Sequence, residues 1–372
     1  MNFAPLEALL ETFRSDLALP GAEISLRVEH KELFRRAVGF ADLESGVPLR
    51  GGELYYFYSA TKPITCAAVM QLLERKLLSL DDPISRYLPE FSSPTVRMPD
   101  GSRVKSCRPI TVEHLLTMTS GLDYNLKTRA IFDVAERTEG KCPTREIVRA
   151  IAERPLHFHP GERWLYGLSH DVLAALVELV SGMRYSEYVT ERIFLPLGMT
   201  DSYFHATDEL RSRMTTPYAL GEMGNLPLPK TNLFDLGEEY ESGGAALISS
   251  VPDYARFADA MANGGVGETG ESILRSETID LMRENRVGDL METDGRWRHL
   301  RGYGYGLGVR TRITADGGGS VGEFGWDGAK GVYVLIDPLR RLSLTYAEHR
   351  GAYKDLIQTR LREVAYACLD AK

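Results

Sequence analysis

Cysteine is scarce: the 372 residues include four, Cys66, Cys107, Cys142 and Cys368, with no Cys-x-x-Cys spacing. That pattern fits reduced thiols and argues against a disulfide framework or a structural zinc site. Basic residues are outnumbered, 44 Lys and Arg against 52 Asp and Glu, for a formal charge of −8. Such a balance argues against a nucleic-acid or anionic-membrane partner. Long apolar runs are missing as well. The best, Val172 to Val180, is interrupted by Glu178 and falls short of the roughly 18 residues a spanning helix needs. The start of the chain has no basic segment and carries Glu7 and Glu11 where a signal peptide would be apolar, so a soluble, cytoplasmic protein is expected. What is present, 43% apolar and 26% charged residues, suffices for a large globular core.

Leu6, Leu9, Leu10, Phe13 and Leu17 recur at helical spacing until Pro20-Gly21 stops the run. Ile24, Leu26 and Val28, then Val38 and Phe40, alternate with polar residues around His30, the pattern of a hairpin. Near the other end Tyr303, Tyr305, Leu307 and Val309 alternate with Gly304, Gly306 and Gly308. This predicts a strand whose second face is bare backbone, closely approached by a neighbour. Val332 to Ile336 and Leu342 to Tyr346 read as strands around Asp337-Pro338, and Tyr353 to Cys368 as a helix. The middle reads as helices, such as His170 to Ser181 ended by Gly182, separated by long Pro- and Gly-bearing loops. Strands at both termini with helices between predict an α+β fold: an antiparallel sheet built from both chain ends, flanked by terminal helices. The expected division is a sheet domain from residues 1–80 and 290–372 and a mostly helical inserted domain over 81–289.

The strongest chemical signal is Ser59-Ala-Thr-Lys62, followed by Ala67, Val69, Met70, Leu72 and Leu73 at helical spacing. If Ser59 opens that helix, Lys62 lies one turn on and on the same face. A serine hydroxyl needs a neighbouring base, and a lysine can serve once burial lowers its pKa from about 10.4. Spacing alone leaves an ordinary helix cap equally open. Ser102-Arg-Val-Lys105 matches the same pattern but follows Pro99-Asp100-Gly101 in a polar stretch, and reads as a solvated turn. Gly317 to Gly322 lacks a Gly-Lys-Ser/Thr ending and reads as a hairpin loop, not a phosphate cradle. His157, His159 and His170 are too few and too scattered to imply a metal site. The run Tyr55-Tyr56-Phe57-Tyr58 suits either an acyl pocket or core packing.

Five blocks in order carry a resemblance that spans most of the chain. Besides Ser59-Ala-Thr-Lys62 they are His114-Leu-Leu-Thr-Met-Thr-Ser-Gly121-Leu, Phe158-His-Pro-Gly-Glu-Arg-Trp164-Leu-Tyr166, Leu195-Pro-Leu-Gly-Met-Thr-Asp-Ser202 and Gly325-Trp326-Asp327-Gly328. With these the chain resembles the serine β-lactamase and penicillin-binding-protein superfamily, in its class C β-lactamase-like esterase branch. The resemblance implies helices around an antiparallel sheet plus a helical domain. It implies Ser59 as nucleophile, Lys62 as the group that lowers its pKa, and Tyr166 as a phenolate that takes and returns the proton. It also implies an oxyanion hole from the backbone N–H groups of Ser59 and Ala329.

Two departures from the family's pattern bear on substrate. Leu168 stands where the family usually has Asn, and Trp326-Asp327-Gly328 where Lys-Thr-Gly is common; Lys230-Thr231-Asn232 mimics that motif but lies among Pro-rich loops. Leu168, Trp326, Asp327 and Gly328 are therefore the expected substrate contacts. An ionised Asp327 facing the pocket, at an assumed ~6 Å and an effective dielectric of ~20, would repel a substrate carboxylate by roughly 3 kcal/mol. The resulting expectation is a carboxylesterase acting on small neutral esters through an acyl-enzyme, without metal or cofactor. A β-lactamase or D-alanyl peptidase, an acyltransferase using the same intermediate, and a non-catalytic ligand sensor are the alternatives.

Overall fold

Both ends of the chain meet in one sheet. The computed structural model describes residues 1–293, 300–315 and 318–371. Gly21–Val28 and Lys31–Asp42 form the expected hairpin. Its turn puts Glu29 and His30 in the left-handed region. Gly21–Val28 also pairs antiparallel with the late strand Leu342–Glu348, setting Ile24 opposite Tyr346 and Leu26 opposite Leu344. Among the described residues the sheet has eight strands. From one edge they run Tyr303–Tyr305, Arg310–Arg312, Phe324–Gly325, Tyr333–Asp337, Leu342–Glu348, Gly21–Val28, Lys31–Asp42 and Val47–Pro48, each pairing antiparallel. Residues 318–322 lie in the loop between Arg310–Arg312 and its antiparallel neighbour Phe324–Gly325, as a hairpin loop requires; Gly317 lies outside the described residues.

One face of the sheet is covered by the terminal helices Ala4–Asp16 and Lys354–Asp370. Leu6, Leu10 and Phe13 of the first and Leu361 and Ala365 of the second close over Ile24, Leu26, Leu344 and Tyr346. Burying an aliphatic or aromatic side chain of this kind contributes about 1.5–3 kcal/mol relative to exposure. Against the other face packs the helix Val251–Ala262, whose Phe257, Ala258 and Met261 share a core with Val334, Ile336 and Ala347. Ser250 caps it by accepting from the Asp253 N–H at 3.3 Å, with Pro252 in its first turn. The same core continues into the helices Thr61–Glu74 and Ser169–Ser181, the latter ended by left-handed Gly182.

The expected strand is shorter than its alternation: it runs only over Tyr303–Tyr305, and Gly306 to Val309 turn back into Arg310–Arg312, with the Gly306 N–H donating to Val309 O at 2.8 Å, while the close approach the glycines predict falls in that turn. A Cβ on Gly306 would lie 2.1 Å from the Met282 carbonyl oxygen, and one on Gly308 1.9 Å from Cys66 Sγ in the helix Thr61–Glu74. Glycine at these positions lets the sheet edge lie directly on that helix. Among the described residues no helix is long and apolar enough to cross a membrane.

Candidate active site

Ser59 sits at a forced bend. The short strand Leu54–Tyr56 pairs antiparallel with Ile248–Ser250, and the Phe57 N–H donates to Leu247 O at 2.8 Å. Tyr58 then takes a left-handed backbone, φ 47°, which costs a residue with a Cβ roughly 1–2 kcal/mol. A 3-10 turn, Tyr58–Ala60, carries Ser59 into the helix Thr61–Glu74. Thr61 fixes the bend, donating to Tyr58 O at 2.5 Å and accepting from the Leu247 N–H at 3.0 Å.

Lys62 is fully buried one turn on. Its Nζ donates to Ser59 Oγ at 3.3 Å, to Tyr124 Oη at 3.4 Å and to the carbonyl of Gly244 at 2.8 Å. It also lies 4.6 Å from the centre of the Tyr166 ring and 5.4 Å from that of Tyr124. Burial pulls the Lys62 pKa down to about 7, against the opposing pull of Asp171 and, more weakly, Cys66 and Asp327. Tyr124 and Tyr166 are stacked, ring centres 5.5 Å apart, and the Ser59 side chain lies close enough to both hydroxyls to favour their ionised forms. Trp326 stacks on the other side of Tyr166 and donates its Nε1–H to Tyr166 Oη at 3.1 Å. Burial pushes the Tyr166 phenol far up, and the hydrogen bonds from Ser59 and Trp326 only partly oppose it. Burial thus favours the protonated form of Tyr166 over the phenolate that the resemblance implies, while the Lys62 amine beside Ser59 is drawn toward neutrality.

The remaining expected residues divide. Trp326 lies in the site. Gly328 lies against the nucleophile segment: a Cβ there would be 2.4 Å from Phe57 O. The segments carrying Ser59 and Ala329 therefore run against each other, with Ala329 exposed. Asp327 is a correction. Its carboxylate is buried and receives Lys354 Nζ at 3.0 Å, with Arg310 Nη1 at 3.7 Å. Its charge is compensated inside the protein, so the expected repulsion of a substrate carboxylate loses its source. Leu168 is a second correction: it is buried in the main core with Val172 and Leu122, not offered to a substrate.

The decoys resolve into separate structures. Ser102 is exposed and donates to Asp100 Oδ1 at 2.6 Å. Lys230 Nζ donates to Met214 O at 2.7 Å. His157 pairs with Asp123 at 2.8 Å, His159 accepts from the Cys107 N–H at 3.2 Å, and His170 is buried against Cys66 Sγ at 3.1 Å. The aromatic run splits by alternation: Tyr55 and Phe57 enter the main core, while Tyr56 and Tyr58 pack with Phe234 on the other side. Phe234 also meets the Tyr124 ring edge-on at 5.2 Å.

Sequence reasoning missed Tyr124, Asp171 and Gly244. Tyr124 stands two residues after the block ending Gly121-Leu122, but a single loop tyrosine has no periodicity to mark it. Asp171 reads as an ordinary acidic residue in the first turn of Ser169–Ser181.

Comparison with known proteins agrees with this geometry. The Beta-lactamase family model matches residues 6–366. Esterase EstB of Burkholderia gladioli is 32% identical over 98% of this chain and 95% of its own. The structure of EstCE1, a hydrolase with promiscuous acyltransferase activity, superposes with TM-score 0.81 at 25% identity, over 97% of each chain. Simvastatin synthase (LovD) from Aspergillus terreus, at 21% identity, shares the fold with TM-score 0.81 over 99% of each chain.

Proposed function

Since the chain belongs to the beta-lactamase family and is a serine hydrolase of the ester-hydrolysing kind, we propose that it cleaves small neutral esters through an acyl-enzyme on Ser59, with Lys62 as base and Tyr166 as proton donor. The observation that carries this is the buried Lys62 amine 3.3 Å from Ser59 Oγ, with a pKa brought down to about 7. The neutral amine takes the Ser59 proton as Oγ attacks the ester carbonyl, and the tetrahedral oxyanion meets the backbone N–H groups of Ser59 and Ala329. Tyr166 gives its hydroxyl proton to the departing alkoxide and recovers one from the Lys62 ammonium. Water then attacks the acyl-enzyme by the reverse relay; an alcohol in place of water gives acyl transfer.

The absence of a motif cation supports neutral esters. Trp326 stands where the family commonly offers Lys, and Lys354 is turned onto Asp327. A substrate carboxylate would miss a charged hydrogen bond of about 1.5–3 kcal/mol, or roughly tenfold to a hundredfold in kcat/KM. The parent protein is accordingly expected to favour p-nitrophenyl butyrate over nitrocefin by at least about tenfold in kcat/KM. Equal or better nitrocefin turnover would promote the β-lactamase reading.

Tyr166→Phe removes the hydroxyl and keeps the ring stack with Tyr124 and Trp326. Its kcat on the butyrate ester should fall about a hundredfold with an unchanged circular dichroism spectrum, at the lower end of general acid–base effects. Retention of parental kcat would assign the proton donation elsewhere, Tyr124 being the nearest alternative.

A further inference from the structure

We propose that Asp171 is the positioning residue and counter-charge of Lys62, acting on the lysine across Gly244. The proposal rests on Lys62 being the base. Asp171 stands in the first turn of Ser169–Ser181 and is about 1% exposed. Its Oδ1 accepts from Tyr240 Oη and from Ser242 Oγ, both at 2.6 Å. Its Oδ2 is buried with no hydrogen-bond partner. A Cβ on Gly244 would lie 3.0 Å from that oxygen and 3.4 Å from Lys62 Nζ, so carboxylate and amine flank a single glycine with no side chain between them. The carbonyl that Lys62 grips belongs to the same glycine. Asp171 therefore anchors the segment Tyr240–Gly244 through two hydroxyls while facing the lysine across it. Thr65 of the nucleophile helix holds the segment from the other side, donating to Gly243 O at 2.6 Å.

Charge accounting around Lys62 points the same way. Cys66, Tyr124, Tyr166, His170, Tyr185 and Tyr240 face the same buried pocket, and burial holds each in its neutral form near neutral pH. Two carboxylates act on the lysine, Asp171 and Asp327. Asp327 already has Lys354 and Arg310. Among the described residues Asp171 has no Lys, Arg or His within ion-pair distance; burial pushes its carboxyl up, and the Ser242 and Tyr240 hydroxyls and the Lys62 charge draw it back toward the ionised form. It is the negative charge left to stabilise the Lys62 ammonium in this low-dielectric pocket.

Asp171→Asn keeps the shape and the Oδ1 acceptor but removes the charge. Without it the ammonium is less stable, so Lys62 loses its proton at lower pH. The acid limb of kcat/KM for p-nitrophenyl butyrate should move down by at least about one pH unit from its parental position near 7. The plateau above pH 8 should fall as well, because a weaker base takes the serine proton less readily. Tyr240→Phe, which removes one of the two donors keeping Asp171 ionised, should shift the limb the same way by less, and serves where Asp171→Asn does not fold. A folded Asp171→Asn with a lowered plateau and an unmoved acid limb would overturn the inference and leave a purely structural aspartate. So would an unmoved limb in Tyr240→Phe when Asp171→Asn is insoluble. A parental profile with no limb near 7 would instead remove the lysine-base reading, and this inference with it.

Discussion

Ser59→Ala should cost at least about three orders of magnitude in kcat on p-nitrophenyl esters and abolish labelling by a fluorophosphonate. Groups that act as one constellation are not additive, and removing the nucleophile alone costs nearly as much as removing the whole set. Ser59 has what a reactive serine needs: a left-handed residue before it, a helix start beneath it, an amine within hydrogen-bond reach and two phenols beside that amine. The substitution should leave the fold intact, since the Thr61 hydroxyl holds the bend, donating to Tyr58 O and accepting from the Leu247 N–H. Intact mass after probe treatment gives the readout: one adduct on the parent and none on Ser59→Ala. Ser102→Ala is the control, because its hydroxyl is exposed and tied to Asp100; its activity should stay at the parental level. Continued labelling of Ser59→Ala would remove Ser59 from the nucleophile's place.

The parts of this molecule that were legible in the sequence are those written in local periodicity. The terminal helices, the Gly21–Asp42 hairpin and the strands after residue 303 each show their period, and the glycine alternation announced the close approach that Met282 and Cys66 make. Ser59 and Lys62 were visible because they lie three residues apart, Ser59 in the 3-10 turn that runs into the helix carrying Lys62. Residues brought together by tertiary packing left no such mark. Tyr124 reaches Lys62 across 62 positions, and the Gly244 carbonyl across 182. The facing of Asp327 turned on Lys354 and Arg310, which no spacing joins to it. The protonation of Tyr166 was hidden for another reason: it is decided by burial, a property of the whole packing. The stretch Val251–Ala262, inside the range 81–289 expected to form the inserted part, is a helix that packs on the sheet, a contact decided by tertiary packing and unmarked in local pattern.

Lys62→Met is expected to lower kcat/KM for p-nitrophenyl butyrate by about three to four orders of magnitude, the upper range of general-base effects on a cooperative site. The side chain is of similar length and apolar, so the cost to the fold is small. The Gly244 carbonyl loses its donor, roughly 1–3 kcal/mol, while the penalty of burying an ammonium disappears. The pH profile carries the decisive sign. On the proposed mechanism the working form in the parent is the neutral amine, whose pKa burial brings down to about 7. Below that value the neutral fraction, and with it kcat/KM, should drop tenfold per pH unit; above it the rate should level off. In Lys62→Met this limb should vanish along with the rate. Lys62→Arg should not restore it, since a guanidinium stays charged throughout the range. The Tyr124 and Tyr166 phenols, pushed up, and the His170 imidazole, pushed down, do not supply the limb; the Asp171 carboxyl is pushed up by burial, and Asp171→Asn separates its contribution from that of Lys62. A Lys62→Met protein that kept an acid limb near 7 would place the base outside the helix Thr61–Glu74.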